Sequence, residues 1–452
     1  MKKKRPVFLV NIGNPTKWIS IPFGLAFIGK ALNYNKIPFE VIDLLPIEID
    51  KREQYFRDFV RQVDAGIFGF SLIIGNNNLS VTIKYINIIK EESKNHIVVL
   101  GGPLPTAIPQ ILFENTSVDF IVPGEGEERF VSLVNYINDN SQPLDPSILS
   151  RSGSQKISKR LVKIQNLDKF APPYYQMFNM KFYTDYIKQS NRSFDICASR
   201  GCWGNCSFCL KFMGTGYNSR SVDSLLDEIE YVINTWDISR FAFVDENFFQ
   251  NKKAFFELMD RSVKRNISFQ FRCMTRIDNL DEEIVQILAD TNVLGIGFGI
   301  ESVNDHTLKQ MKKNITVKDI ENKISMLHNK NINVRASFIL GFPHDKESDY
   351  KKIYDFIMRN GLKNNCTINY LTILPGTRLY QEYKHLIIKD TEWEYIKRVD
   401  KASLYRELIT NITKMPDNVL TYYRNHIKSI AQLSVFIPDD FRRFLKLSEE
   451  HD

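Results

Sequence analysis

Cys202, Cys206 and Cys209 stand in one short loop, Ser199-Arg-Gly-Cys-Trp-Gly-Asn-Cys-Ser-Phe-Cys209. Thiolates at C-x3-C-x2-C spacing can hold three corners of a cubane iron–sulfur cluster and leave one iron open to a small molecule. A structural zinc site would need four closed nitrogen or sulfur ligands, usually from two paired motifs. Here Cys197 lies a little upstream, Cys273 and Cys366 stand alone, and no second pair exists. Six cysteines in 452 residues are also too few for a disulfide framework.

The rest of the chain must position that loop. Its length is enough for two or three domains with full cores. Hydrophobic residues make up 43% and charged residues 25%, as in ordinary soluble proteins. The start, Lys2-Lys3-Lys4-Arg5 before Pro6-Val-Phe-Leu-Val10, has too short an apolar run for a signal peptide, and no small-residue cleavage site follows. It reads as a first strand. The longest nearly apolar stretch, 66–75, is far too short to span a bilayer. A cytoplasmic location without membrane contact is expected, where thiols stay reduced. The net charge of +7 is modest, and pairs such as Lys312-Lys313 and Lys351-Lys352 read as solvated surface. No basic stripe with interleaved aromatics argues for nucleic acid.

Residues 1–140 alternate β-rich runs with helical patterns. Strands are expected at 7–12, 39–43, 67–71, 97–101 and 118–122, and helices at 23–33, 53–63, 79–92, 106–114 and 127–137. This alternation predicts a parallel sheet with right-handed crossovers, and five strands fit a flavodoxin-like, Rossmann-like domain that binds ligands beyond its strands' carboxyl ends. Gly101-Gly102-Pro103 and Gly124-Glu125-Gly126-Glu127 follow the fourth and fifth strands. Glycines there allow close approach of a bulky ligand, although strand-to-helix turns are Gly-rich for local reasons too. Residues 141–190 read as a linker with short structure. From 191 to 388 six further β/α units fit a partial (β/α)6 barrel, with the cysteine loop after its first strand. Residues 389–452 read as a short helical region without a recognisable motif.

The cysteine spacing, with the aromatic Phe208 just before the third thiol, resembles the signature of the radical S-adenosylmethionine (SAM) enzymes. In that family the open iron chelates the amino and carboxylate groups of SAM. The first 140 residues resemble the cobalamin-binding domain that precedes the barrel in one large subclass. The matching pieces are Pro22, Gly24, Asp43, Ser71, Gly101, Gly102, Pro103, Gly124, Glu125 and Gly126. One departure stands out: the cobalamin mutases carry Asp-x-His-x-x-Gly, whose histidine ligates cobalt, whereas Leu-Leu-Pro-Ile-Glu follows Asp43. Any cobalamin bound here is expected to lack a protein histidine ligand.

The resemblance also assigns SAM contacts to Phe208 and, at barrel strand ends, to Asp245 and Asn247 after the second strand, Arg276 after the third, Glu301 after Gly295-Ile-Gly-Phe-Gly-Ile, and Phe338 before Gly341-Phe-Pro343. Each polar candidate has a plainer reading: helix capping for Asp245, Asn247 and Glu301, and a surface ion pair for Arg276. The implied cofactors are a [4Fe-4S] cluster, SAM and cobalamin. The implied activity is methylation of an unactivated carbon of a small-molecule or peptide natural product, through a 5′-deoxyadenosyl radical and methylcobalamin, with flavodoxin or ferredoxin as electron donor. Three alternatives stay open: a rearrangement or cyclisation without methyl transfer, a radical SAM enzyme whose first domain has lost cobalamin, and a non-enzymatic binding module with a structural metal.

Overall fold

The computed structural model describes residues 4–13, 19–75, 78–139, 143–153, 163–210, 216–402 and 405–431. The end of the expected helical C-terminal region lies outside them. Two six-stranded sheets organise the chain.

The first sheet contains β1 (Val7–Asn11), β2 (Phe39–Asp43), β3 (Ile67–Ser71), β4 (Ile97–Gly101), β5 (Phe120–Val122) and β6 (Leu149–Ser150), in the order β2-β1-β3-β4-β5-β6. The first five are parallel and β6 is antiparallel. Val7 to Val10, Ile67 to Phe70 and Val98 to Leu100 are buried throughout, the continuous apolar pattern of a sheet covered on both faces. Strand order reverses between β1 and β3, which puts a crevice beside Ser71.

The expected helix 106–114 is two helices, Pro103–Ala107 and Pro109–Asn115. Pro109 lacks an amide hydrogen and pushes the preceding residue out of the helical region, and Ile108 sits at φ −135°, ψ 44°.

The second sheet contains β7 (Phe194–Ile196), β10 (Arg240–Phe243), β11 (Gln270–Thr275), β12 (Val293–Glu301), β13 (Val334–Leu340) and β14 (Cys366–Tyr370), in the order β14-β13-β12-β11-β10-β7. All pairs are parallel. The outer strands β7 and β14 do not pair among the described residues, so the barrel is open. A two-stranded antiparallel ribbon, β8 (Ser199–Arg200) with β9 (Asn218–Ser219), forms the base of the cysteine loop. The architecture is α/β, as expected: a flavodoxin-like sheet, then a partial barrel, then helices.

The segment between the sheets is packed core. Leu167, Phe170, Tyr175, Phe178, Tyr183 and Tyr186 are buried. The helix Met180–Gln189 carries Tyr183, whose hydroxyl donates to Asp43 Oδ2 at 2.7 Å at the end of β2. Tyr175 donates to Glu228 of the barrel helix Val222–Trp236. This segment therefore grips both sheets.

The C-terminal helices return to them. Asp400, fully buried on helix Glu392–Lys401, accepts hydrogen bonds from Gly75 N (3.1 Å), Leu79 N (2.9 Å), Ser80 N (3.1 Å) and Ser80 Oγ (3.2 Å). It satisfies the otherwise open amides at the start of helix Asn78–Glu92, a capping role supplied from far along the chain.

Candidate functional site

The cysteine loop leaves the ribbon at Gly201, whose φ of +86° suits glycine and whose missing side chain makes room for the Gly216 carbonyl. All six cysteines are free thiols. Cys202 and Cys206 are partly buried and Cys209 is exposed. Two donors already point at the sulfurs. Gly204 N donates to Cys202 Sγ at 3.3 Å, and Arg276 Nη1 donates to Cys206 Sγ at 3.2 Å. A side chain at Gly204 would crowd Arg276 Nη1 and Cys202 Sγ, at 2.9 Å and 3.2 Å. Burial raises the pKa of the Cys202 thiol, opposed by the Gly204 amide. Cys197 plays another part. Burial pushes its thiol up to about 12, and it donates to Ser199 O at 3.2 Å as a neutral group.

No group of three or more His, Cys, Asp or Glu among the described residues converges as the ligands of one metal ion would. The thiolates of a cubane bind separate irons and need not converge in that way.

The strand ends around the loop form a polar knot. Arg276, just past β11, chelates Asp278 with Nε (3.0 Å) and Nη2 (2.6 Å) and donates to Lys313 O at 2.8 Å. Asn247, past β10, is spent on positioning. Its Oδ1 accepts from Thr275 Oγ1 (2.9 Å), Arg276 N (3.0 Å) and Asn279 Nδ2 (2.7 Å), while its Nδ2 donates to Gln250 at 3.0 Å. Asp245 is similarly occupied. Its carboxylate accepts from Ala198 N at 3.1 Å and from the Ser199 hydroxyl, which pins the base of the cysteine loop. Burial raises its pKa to about 6. With these bonds made, Asp245 and Asn247 brace the loops at the mouth of the barrel.

Glu301 ends β12 in the left-handed region, at φ +70°, beside a register break with β13. Such a backbone costs a non-glycine residue on the order of 1–3 kcal/mol and persists where its surroundings enforce it. It turns the carboxylate back over Gly299, where no side chain would fit. There Glu301 meets Lys313, Nζ to Oε1 3.3 Å, and Lys313 also donates to Gly299 O. This corrects the reading of Lys312-Lys313 as solvated surface: Lys313 is only 4% exposed. The segment 311–313 braces three elements, because Ser207 of the cysteine loop also donates to Met311 O at 3.0 Å. Nothing in its local sequence signals this role. Only the fold supplies its partners.

The aromatic candidates separate. Phe208 packs edge-on against Phe342, centroids 5.7 Å apart, joining the cysteine loop to the Gly341-Phe-Pro loop after β13. Phe338 is wholly buried, edge-on to Phe356 of helix Glu347–Arg359, and belongs to the core between strand and helix. The loop after β13 is held by Asp345, which accepts from Gly341 N (3.1 Å), Phe342 N (3.0 Å), Tyr350 (3.2 Å) and Thr307 (3.3 Å).

In the first sheet, Gly24, Ser71 and Gly102 come together. A Cβ at Gly24 would stand 3.2 Å from Ser71 Oγ, and one at Gly102 (φ +97°) 3.1 Å from it and 3.0 Å from Leu72 N. The result is a cleared floor at the crevice, with Gly24 and Ser71 exposed. Pro22 precedes the helix Phe23–Tyr34, Gly101 ends β4, and Pro103 opens the next helix. Gly124 (φ +72°) donates its amide to Thr106 at 2.8 Å, and Gly126 lies against Ile28. Glu125 is buried and turned inward, accepting from Ile164 N. Asp43 accepts from Asn11, Leu45 and Tyr183.

The two mouths adjoin. A Cβ at Gly376, after β14, would stand 3.0 Å from both Ala107 of the first sheet's helices and Leu210 beside Cys209.

Comparison with known proteins assigns both halves. Residues 15–134 match the B12 binding domain, and residues 196–357 match the radical SAM superfamily. The chain thus carries a B12-binding domain ahead of a radical SAM domain, and the pair supports a [4Fe-4S] cluster, SAM and cobalamin as its cofactors. An uncharacterised methyltransferase of Pyrococcus horikoshii is 24% identical over 367 residues, 80% of this chain and 78% of that one. An anaerobic magnesium-protoporphyrin IX monomethyl ester cyclase of Rubrivivax gelatinosus is 24% identical over 378 residues, covering 81% of this chain and 66% of that one. Among solved structures, the radical SAM methyltransferase TsrM of Kitasatospora setae, with cobalamin and a [4Fe-4S] cluster bound, shares the fold. Its TM-score is 0.69 at 17% identity, over 85% of this chain and 75% of that one.

The residues fit these groups. Three free thiols with N–H donors directed at two of them suit a cluster. The floor of small residues at Gly24, Ser71 and Gly102 suits a large ligand lying flat. No helix among the described residues is long and apolar enough to cross a membrane.

Proposed function

We propose that this enzyme methylates an unactivated carbon of a small-molecule or peptide natural product. The observation that carries the reading is the junction at Gly376, which lies between Leu210, beside Cys209, and Ala107, on the helix that follows β4. When bound, the cluster with SAM supplies a carbon-centred radical, and cobalamin supplies a transferable methyl group. Both must reach one substrate, so their sites must be neighbours.

The chain's own residues bind, orient and exclude water. Cys202, Cys206 and Cys209 are the cluster ligands in this reading. Gly204 N and Arg276 donate to their sulfurs, and Asp278 keeps Arg276 in place. Glu301 offers a carboxylate to the ribose or ammonium of SAM, with Lys313 fixing its direction. Phe208 and Phe342 wall the mouth. Gly24, Ser71, Gly101, Gly102 and Pro103 floor the corrinoid site, and Gly124 and Gly126 shape its rim. A reductant such as flavodoxin or ferredoxin delivers the electron, and the reducing cytoplasm suits the thiols.

A second reading is favoured by the cyclase relative: the same cofactors can serve ring closure without methyl transfer. Anaerobic incubation with SAM and reductant separates the two. Methylation yields 5′-deoxyadenosine and S-adenosylhomocysteine together, and a product heavier by one methylene unit. Deoxyadenosine without S-adenosylhomocysteine would overturn methylation in favour of cyclisation.

A further inference from the structure

Arg200 lies immediately before Gly201 and Cys202, on β8 at the base of the cysteine loop. Its guanidinium does not face the barrel's polar knot. It reaches into the B12-binding domain, where Nη2 meets Glu127 Oε1 at 2.7 Å and Nη1 meets Glu125 Oε1 at 3.4 Å. It also lies 4.5 Å above the ring of Phe27 on helix Phe23–Tyr34. The Arg200 side chain is 10% exposed, and those of Glu125 and Glu127 are 3% and 4% exposed.

The loop that Arg200 grips is set from its own side as well. Arg129 donates to the Pro123 and Glu125 carbonyls, and the other Glu125 oxygen accepts from Ile164 N. One end of the triad is therefore rigid with the corrinoid rim and the other with the first cluster cysteine.

Stability alone is a weak reason for burying three charges, because apolar residues of similar volume often do as well. A planar fork held on two carboxylates and an aromatic face contributes direction and spacing instead. We propose that Arg200 is a positioning residue that locks the Gly124–Glu127 loop to the cysteine loop and so sets the distance between the two cofactors. The consequence for cofactor spacing rests on the two-cofactor reading above; the lock between the loops does not.

Two measurements test the lock, on Arg200→Met, Arg200→Lys and Glu127→Gln. The first is hydrogen exchange of the chain without cofactors. Glu127→Gln should speed exchange across 199–209, and Arg200→Met across 123–129, each by about tenfold or more as the partner loop opens locally, with β3 and β13 unchanged. Changes confined to the loop that carries the substitution would overturn the lock.

The second is electron paramagnetic resonance of the loaded protein, reading the magnetic coupling between the reduced cluster and cob(II)alamin. Arg200→Met should alter that coupling at wild-type iron and cobalt content, and Arg200→Lys should restore most of it. Unaltered coupling at full loading would overturn the spacing role. If Arg200→Met does not load, Glu127→Gln carries the same test with the same two outcomes. A wild type that takes up no corrinoid overturns the two-cofactor reading instead, and the exchange result still decides the lock.

Discussion

At the carboxyl ends of β3 and β4 the chain removes side chains, whereas at the ends of β11 and β12 it crowds charged ones together. The B12 crevice is shaped by Gly24, Gly102 and the small Ser71, with one backbone at φ +97°. The barrel mouth is shaped by Arg276, Asp278, Asn247, Glu301 and Lys313, each held by at least one polar partner. A broad ligand held by shape needs space and a close backbone. A charged cofactor held at an open iron needs fixed donors and acceptors around it. The first mouth should therefore tolerate deletion and resist addition of atoms. The second should fail when any single partner is deleted.

The sharpest way to break this contrast is Lys313→Met. It leaves Glu301 as a buried charge without its partner, which typically costs about 3–5 kcal/mol. A shift in the urea midpoint reads this directly, and adding Glu301→Gln should recover most of the loss. A midpoint within error of wild type would mean that Lys313 is not needed at the mouth.

Asp345 tests the same mouth through pH. Burial raises its carboxyl to about 6 from an ordinary value of 3.8. The folded protein then holds a proton that the unfolded chain has released between those values. Its contribution to stability is full below about pH 4 and falls as pH rises through 6, by up to about 3 kcal/mol. Asp345→Asn should remove that part of the pH dependence. Thermal melts of both proteins from pH 4 to 7 check it, and parallel curves would contradict it.

Smaller effects are expected in the crevice, and their order matters more than their size. Gly102→Ala forces a side chain into a left-handed position against Leu72, costing on the order of 1–3 kcal/mol, and should abolish corrinoid uptake with iron uptake intact. Ser71→Ala removes an exposed hydroxyl and should change stability by less than about 0.5 kcal/mol. Equal effects of the two on corrinoid binding would erase the distinction between the mouths.

Much of this architecture is legible in the amino-acid order. Strands β3 and β4 lie where the apolar runs put them, because a parallel strand buried on both faces is nearly continuous in sequence. Pro109 marks the break at Ile108, but the apolar pattern runs through it as it would through one helix. The two-residue strands β6, β8 and β9 are too short to carry a period.

At the site, the cysteine loop and Glu301 stand at strand ends as their spacing suggests. Asp245 and Asn247 are recognisable as polar residues at a strand end, yet their bonds to Ala198, Thr275 and Arg276 depend on tertiary neighbours. Lys313 misleads for the same reason. An adjacent pair of lysines looks solvated until a carboxylate from another strand arrives. Phe338 shares a strand face with the buried Val334, Ala336 and Leu340, while Arg335 and Ser337 point to the other, so the alternation itself places Phe338 in the core.

One chain is expected to hold both a cluster on its cysteine loop and a corrinoid on its first sheet. The most direct test is the iron, sulfide and cobalt content of the chain after anaerobic reconstitution, beside a Cys202→Ala, Cys206→Ala, Cys209→Ala variant. The wild type should take up iron and sulfide in equal amounts together with corrinoid, and the variant should keep the corrinoid and lose the iron. Iron retained by the variant, or a wild type without cobalt, would contradict the account.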